Sequence, residues 1–269
     1  MTRPLVVDCF PMHDELDLLE CRLTELYDAV DWFVLVEADV THQDRPKPYY
    51  YLDNVERFAA FKDKIVAVQA TQLPTLADDP DPWAREHAQR EWIANGLATI
   101  GVSSDDVILQ SDIDEIPRAL QTRNCRPQGL VAFEQRLHCF AVDWVHPDKW
   151  MGTVAGRASA IRALGEMPFG RMRDTRNIAP CPPAYRDAGW HLSWLGGNEA
   201  QRRKLGAFCH PEIADRIEAG LTEDVFLIEG WHVDGRKMTA VDVDDDYPRW
   251  IVEGHAPASW YRPRVTVAA

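Results

Sequence analysis

The sequence predicts an α/β protein with a mostly parallel central sheet flanked by helices. Short apolar runs at residues 5–10, 32–36, 64–68 and 107–109 alternate with segments of helical periodicity, the pattern of strands joined by crossover helices. Asp8, Glu37 and Asp112 stand at the ends of three of these runs, where open α/β sheets bind ligands. The 269 residues suffice to bury a large core, either as one α/β domain or as two small ones.

The elements follow in order. Residues 5–10 form a first buried strand. Over residues 14–27, Leu16, Leu19, Leu23 and Leu26 recur on one helical face, with Asp14 as a plausible N-cap. Residues 32–36 form a second strand ending at Glu37, residues 54–61 are helical, and residues 64–68 form a third strand. A loop rich in Asp and Pro, residues 71–82, leads into a helix over residues 83–100 and then the strand that ends at Asp112. The second half reads differently. Residues 130–145 are β-rich, as a hairpin or two sheet strands. Residues 171–186, with Arg171, Arg173, Arg176 and Arg186 and with Pro180, Pro182 and Pro183, form a long loop, which in a compact domain is usually functional or mobile. Gly189-Trp190-His191 precedes a short strand, Asn198 caps a helix running to about Phe208, and the chain beyond Trp260 is a loosely attached end.

Composition narrows the function classes. Hydrophobic residues at 46% and charged residues at 27% describe an ordinary globular protein. A net charge of −14 argues against nucleic acid and against a polybasic membrane surface. With such a charge, an anionic ligand requires a metal or local arginines to reverse the sign. The six cysteines are dispersed without Cys-x-x-Cys pairs or Cys/His ligand spacing, which fits reduced, packed thiols in a cytoplasmic protein. No secretory signal is evident, and no apolar stretch approaches the roughly twenty residues that span a bilayer.

The most informative segment is residues 107–117, VILQSDIDEIP. An apolar strand breaks into Asp112, Asp114 and Glu115, and Pro117 stops its extension. Two carboxylates two residues apart at a strand end can share a divalent cation, and hard oxygen ligands suit Mg²⁺ or Mn²⁺ brought with a substrate phosphate. The competing reading is a helix N-cap. Asp242, Asp244, Asp246 and Glu253 imitate a calcium loop, but Tyr247 stands where the sharp turn needs Gly; this is a solvated acidic loop.

The opening DCFPMHDELDLLECRLTELYDAVDWFVLVEADVTHQDRPKPYYY resembles glycosyltransferase family 17. So do Trp83-x-Arg85-Glu86-x-x-Gln89-Arg90, the SDIDEIP segment, GWHLSW at 189–194, Glu199 and Lys204-Leu205. The resemblance spans roughly residues 5–255. That family includes the β-1,4-mannosyl-glycoprotein β-1,4-N-acetylglucosaminyltransferases. The resemblance implies a GT-A-like nucleotide-sugar-binding fold, an inverting mechanism, and a UDP-sugar donor, UDP-GlcNAc first, held with Mn²⁺ or Mg²⁺. It also implies a glycan, glycolipid or glycoprotein acceptor. A single domain over 1–269 is expected, with the donor nucleotide on 1–120 and the acceptor on 121–269. Eukaryotic members acting on N-glycans carry a membrane anchor and lumenal stem that this sequence lacks, so a cytoplasmic enzyme of bacterial or viral origin is expected.

On that resemblance Asp114 is a metal ligand, Asp112 a metal ligand or a partner of the donor ribose, and His191 a third ligand or phosphate contact. Glu115 either orients these carboxylates or begins the next helix, the second being favoured. Asp8 and Glu37 are candidates for uracil and ribose, against a plain reading as turn acids. Arg85 and Gln89 share a helical face at i, i+4 and are placed on the donor, whereas Arg90 points elsewhere as a surface charge. Thr41, His42 and Lys47 either border the donor or belong to a proline-fixed turn. For the base that activates the acceptor hydroxyl, Glu199 comes first and Asp187 second; Glu199 could equally stabilise a helix N-terminus. Trp190 and Trp194 are candidate sugar platforms. His210 and His232 rank lower. A sugar-phosphate nucleotidyltransferase ranks below, because Pro11-Met12-His13-Asp14 stands where that class carries a Gly-rich loop. A non-catalytic glycan- or nucleotide-sugar-binding homologue is the remaining alternative.

Overall fold

The structure, a computed structural model, describes residues 3–207, 209, 214–222 and 225–263. Its first half alternates β1 (Val6–Met12), α1 (Leu16–Leu26), β2 (Trp32–Ala38), α2 (Tyr50–Asp53), a 3-10 segment Val55–Lys64, β3 (Ile65–Ala70), α3 (Pro82–Glu91), α4 (Ile93–Ile100) and β4 (Val107–Gln110). β1 pairs in parallel with β2 and β4, and β2 with β3. The apolar stripe of α1 packs as its periodicity requires, with Leu19, Leu23 and Leu26 fully buried. Its N-cap is Glu15 rather than Asp14. The helix expected over 83–100 is two, divided at Trp92. Gly96 lets α4 lie close on the sheet: a Cβ there would fall 2.4 Å from Val34 Cγ1.

The second half comprises β5 (Glu115–Pro117), α5 (Ala119–Asn124), β6 (Val131–Cys139), β7 (Trp144–Arg157), α6 (Ala158–Arg162), α7 (Pro168–Asp174), β8 (Ala184–Tyr185), β9 (Gly189–Ser193), α8 (Gly197–Leu205), α9 (Ala214–Thr222), β10 (Thr239–Ala240) and α10 (Arg249–Val252). The sheet runs β3-β2-β1-β4-β7-β6-β9-β5, with β10 on β7 and β8 on β6. The α/β class is as expected, but the sheet is mixed and mostly parallel is only partly right: β3-β2-β1-β4 is all parallel, and β6 is parallel to β8 and β9. β7 is antiparallel to both β4 and β6, and β5 to β9. The physical reason is local: residues 140–143 are too few for a crossover, so β6 and β7 close as a hairpin.

Four further expectations change. The loop at 171–186 begins inside α7, whose first turn holds Pro168, a residue pre-set for that position; the three prolines that follow obscure it. Gly189-Trp190-His191 is part of β9 rather than its lead-in. Asn198 lies within the first turn of α8, which starts after Gly196 at φ 102°; the predicted end at Phe208, and His210, lie outside the described residues. The end of the chain is pinned as far as Arg262, which pairs with Asp143 at 2.8 Å, and Trp260 is buried against Trp250. All six cysteines are free, and Cys9, Cys21, Cys125 and Cys139 are buried. Among the described residues no helix is long and apolar enough to cross a membrane.

Candidate active site

The carboxyl ends of β1, β2 and β4 open into a cleft of about 350 Å³, closed on its far side by β6, β9 and α8. Asp112 and Asp114 enter it on the turn between β4 and β5. That turn is held from beneath by Arg22 of α1. Its Nη1 donates to the carbonyls of Asp112, Ile113 and Glu115 at 3.0, 3.3 and 3.0 Å, and its Nη2 to Ser111 Oγ at 2.7 Å. Its Nε and Nη2 donate to the two oxygens of Asp8, each at 2.7 Å, with both side chains wholly buried. Asp8 is thus the counter-ion of this anchor and does not line the cleft. The sequence carried the signal: Arg22 follows Leu19 by three and precedes Leu26 by four, a charge on an apolar helical stripe, which demands a buried partner.

Asp112 faces three guanidiniums. Arg90 donates to its Oδ1, and Nη2 groups of Arg176 and Arg173 lie 3.7 and 3.9 Å from its Oδ2. Burial opposes its charge, but Arg90, Arg173 and Arg176 together hold the carboxyl well below the usual range. Arg90 is therefore no surface charge; it is almost wholly buried and also pairs with Glu86. Glu115, expected to begin a helix, opens β5 and orients its neighbours: it accepts the Asp112 N–H at 3.0 Å, Trp150 Nε1 at 2.7 Å and Arg176 Nη1 at 2.6 Å. Arg173 and Arg176 come from a segment read as a loop and Trp150 from a stretch given no assignment, and nothing in the local sequence places them here.

Asp114 is held by Lys204 of α8, whose Nζ lies 3.0 Å from Oδ2, and by His191 Nε2 3.5 Å from Oδ1. Burial works against this carboxylate, yet Lys204 and then His191 keep it far below the ordinary range. Asp114 comes one residue before Glu115, which pairs with His191 in register across β5 and β9, and the Asp114 carbonyl accepts the Leu192 N–H at 2.8 Å. The spacing of Asp114 and His191 fits two ligands of one divalent ion. Asp112 does not join them while three guanidiniums claim it. Among the described residues, the group whose ligand atoms lie within 4.8 Å of one another is His146, His232 and Asp234, which could hold a metal ion. His232 lines the cleft, so this group borders it.

The remaining candidates divide by position. Gln89 lines the cleft, its Oε1 3.0 Å from His42 Nε2 and its Nε2 donating to Val36 O at 3.0 Å. Thr41, His42 and Lys47 line it as well. Glu37 does not: it accepts the N–H groups of Tyr50 and Tyr51 and pairs with Lys47 at 3.0 Å, fixing the start of α2. Arg85 is fully buried and donates to the carbonyls of His42 and Asp79 at 2.6 and 2.9 Å, so it ties two loops together outside the cleft. Trp194 lines the cleft, with Lys204 Nζ 5.5 Å from its ring centre. Trp190 points to the other face, as strand alternation requires of a neighbour of His191, and donates Nε1 to Asp246 O at 3.0 Å. Asp187 lies beside it in a second hollow, paired with Arg136 at 3.2 Å and Arg118 at 3.4 Å. Glu199 projects into solvent with 93% of its side chain exposed and Arg203 3.5 Å away. Neither expected base therefore reaches the cleft. Glu15 does, and among the described residues it is the cleft-lining carboxylate without an ion pair; its Oε2 accepts the N–H groups of His13 and Asp14 at 3.0 and 3.1 Å.

Known proteins supply the comparison. Human and rat β-1,4-mannosyl-glycoprotein 4-β-N-acetylglucosaminyltransferases are each 28% identical over 116 residues, 42% of this chain. The match spans about a fifth of these relatives, 22% and 21% of their lengths. Among solved structures, a 4-diphosphocytidyl-2C-methyl-D-erythritol synthase superposes with a TM-score of 0.41 at 14% identity, over 69% of this chain and 90% of that one. A nucleoside-diphosphate-sugar pyrophosphorylase from Vibrio cholerae gives 0.30 at 9% identity, over 66% and 83%. The model of glycosyltransferase family 17 matches residues 1–225, a stretch that holds the Arg22 anchor, the acidic turn and its three arginines, and the His191–Lys204 side of the cleft. The chain belongs to glycosyltransferase family 17.

Proposed function

We propose that this chain is an inverting glycosyltransferase that moves a sugar, GlcNAc from UDP-GlcNAc being the first candidate, to a hydroxyl of a glycan, glycolipid or glycoprotein. The observation that carries the reading is the pair Asp112 and Asp114 on a pinned turn at the carboxyl end of β4, inside a cleft whose cations reverse the sign of an acidic protein. The donor nucleotide is assigned to the side built by residues 1–120 and the acceptor to that built by residues 121–269, as two faces of one domain. Free, mostly buried thiols favour a reducing, cytoplasmic setting.

Asp114 and His191 are the residues that would hold Mn²⁺ or Mg²⁺. A bound divalent ion would supply neutralisation of the charge that grows on the leaving diphosphate. Lys204, beside Asp114, adds a fixed positive charge to the same region. In an in-line displacement the acceptor oxygen attacks the anomeric carbon as its proton passes to a base. Glu15, which lines the cleft and has its Oε2 tied to two backbone N–H groups, takes that role. Trp194 forms the wall against which a sugar face packs.

Calorimetric titration of UDP and UDP-GlcNAc, with and without Mn²⁺, tests the donor site. Metal-enhanced binding in wild type and its loss in Asp114→Ala is expected; no binding of any UDP-sugar would remove the assignment. In transfer assays Glu15→Gln keeps donor affinity and loses turnover. Undiminished turnover would strike Glu15 from the mechanism.

A further inference from the structure

The acidic turn contains an unusual imbalance of exposure. Arg90, Arg173 and Arg176 face four carboxylates, those of Glu86, Asp112, Glu115 and Asp174, the last 3.7 Å from Arg173 Nη1. The side chains of Glu86 and Glu115 are 5% and 0% exposed, and Asp174, 38% exposed, lies outside the cleft lining, whereas Asp112 is 31% exposed and lines the cleft. Asp112 is therefore, of these four, the exposed anion that a ligand entering the cleft can replace. The guanidiniums also retain unused donors: Arg90 Nη1, Arg173 Nε and Arg176 Nε are buried without a hydrogen-bond partner among the described residues. Buried charged donors left unmade cost free energy, and forked guanidiniums match phosphate oxygens in pairs. One carboxylate offers two oxygens to three guanidiniums; a diphosphate offers more.

We propose that Asp112 acts as an internal stand-in for a diphosphate, filling an arginine cradle made by Arg90, Arg173 and Arg176 until a nucleoside diphosphate displaces it. The inference rests on the glycosyltransferase reading only for the identity of the nucleotide; the cradle itself recognises a diphosphate group. Asp112, once displaced, is free to turn towards Asp114, so ligand and divalent ion would bind with positive coupling. The exchange breaks no covalent bond: one anion leaves three guanidiniums and another takes them.

The test is titration of inorganic pyrophosphate in EDTA against wild type, Asp112→Asn and Arg173→Gln, each checked for a cooperative melt. Removing the internal competitor should tighten pyrophosphate binding by about tenfold, and removing one fork should weaken it by about tenfold. A ligand role for Asp112 alone predicts the opposite sign or no change for Asp112→Asn. Weaker or equal binding in that variant, or no binding in either it or wild type, overturns the proposal. If Asp112→Asn does not fold, Arg173→Gln decides: unchanged affinity refutes the cradle, and lost affinity supports it. UDP and UDP-GlcNAc titrated in parallel separate the two readings. Pyrophosphate binding with the expected signs but no nucleotide binding would sink the donor assignment and keep the cradle. Metal-dependent UDP binding without the sign reversal would do the reverse.

Discussion

Asp8→Asn should destabilise this protein while leaving every group that faces the cleft chemically intact. Asp8 and Arg22 are both wholly buried and joined through two contacts of 2.7 Å. Substituting the carboxylate leaves the Arg22 charge uncompensated in the core, a change that typically costs about 3–5 kcal/mol. For a chain of this size that loss lowers the melting temperature by roughly 6–20 °C. Urea unfolding followed by tryptophan fluorescence measures it, with UDP affinity titrated on the same samples. The pair Asp8→Leu with Arg22→Met should cost less than the sum of the single changes, because neither charge is then stranded. Binding should suffer more in Arg22→Met than in Asp8→Asn, since Arg22 also holds three carbonyls of the acidic turn. Stability within about 0.5 kcal/mol of wild type in Asp8→Asn, together with lost UDP binding, would refute this reasoning and return Asp8 to the donor.

Acid should weaken the fold through His138. Burial pushes its imidazole down to about 4, and its Nδ1 lies 2.7 Å from Val142 O. The unfolded chain takes up the proton near pH 6.5 and the folded one only near 4, so stability is complete above the first value and falls towards the second. The loss approaches about 3 kcal/mol, and denaturation midpoints at pH 7 and 4.5 should differ less in His138→Gln than in wild type. Glu199→Gln, a change on a solvent-facing side chain, should alter stability by less than about 0.5 kcal/mol and leave transfer intact; a selective loss of turnover would restore Glu199 as the base.

The sequence by itself determined the parallel half of the sheet, the stripe of α1 and the acidic turn at the end of β4. These follow from local information: period-2 and period-3.6 apolar spacing, and acids where a buried strand ends. It also carried the order of motifs that marks the family. Two local readings failed for identifiable reasons. Helical spacing put Arg85 and Gln89 on one face, but it could not say which way α3 is rotated against the sheet, and it is Arg90 that meets Asp112. Strand alternation separates Trp190 from His191, yet only the pairing of β9 with β6 and β5 decides which of the two faces the cleft. Tertiary structure alone brought Arg22, Arg173, Arg176 and Lys204 to the acidic turn, and it alone put Glu199 and Asp187 outside the cleft. Charges distant in sequence meet only once the mixed second half of the sheet folds back beside β4, because the cost of burying a carboxylate is offset by whichever cations packing delivers to it.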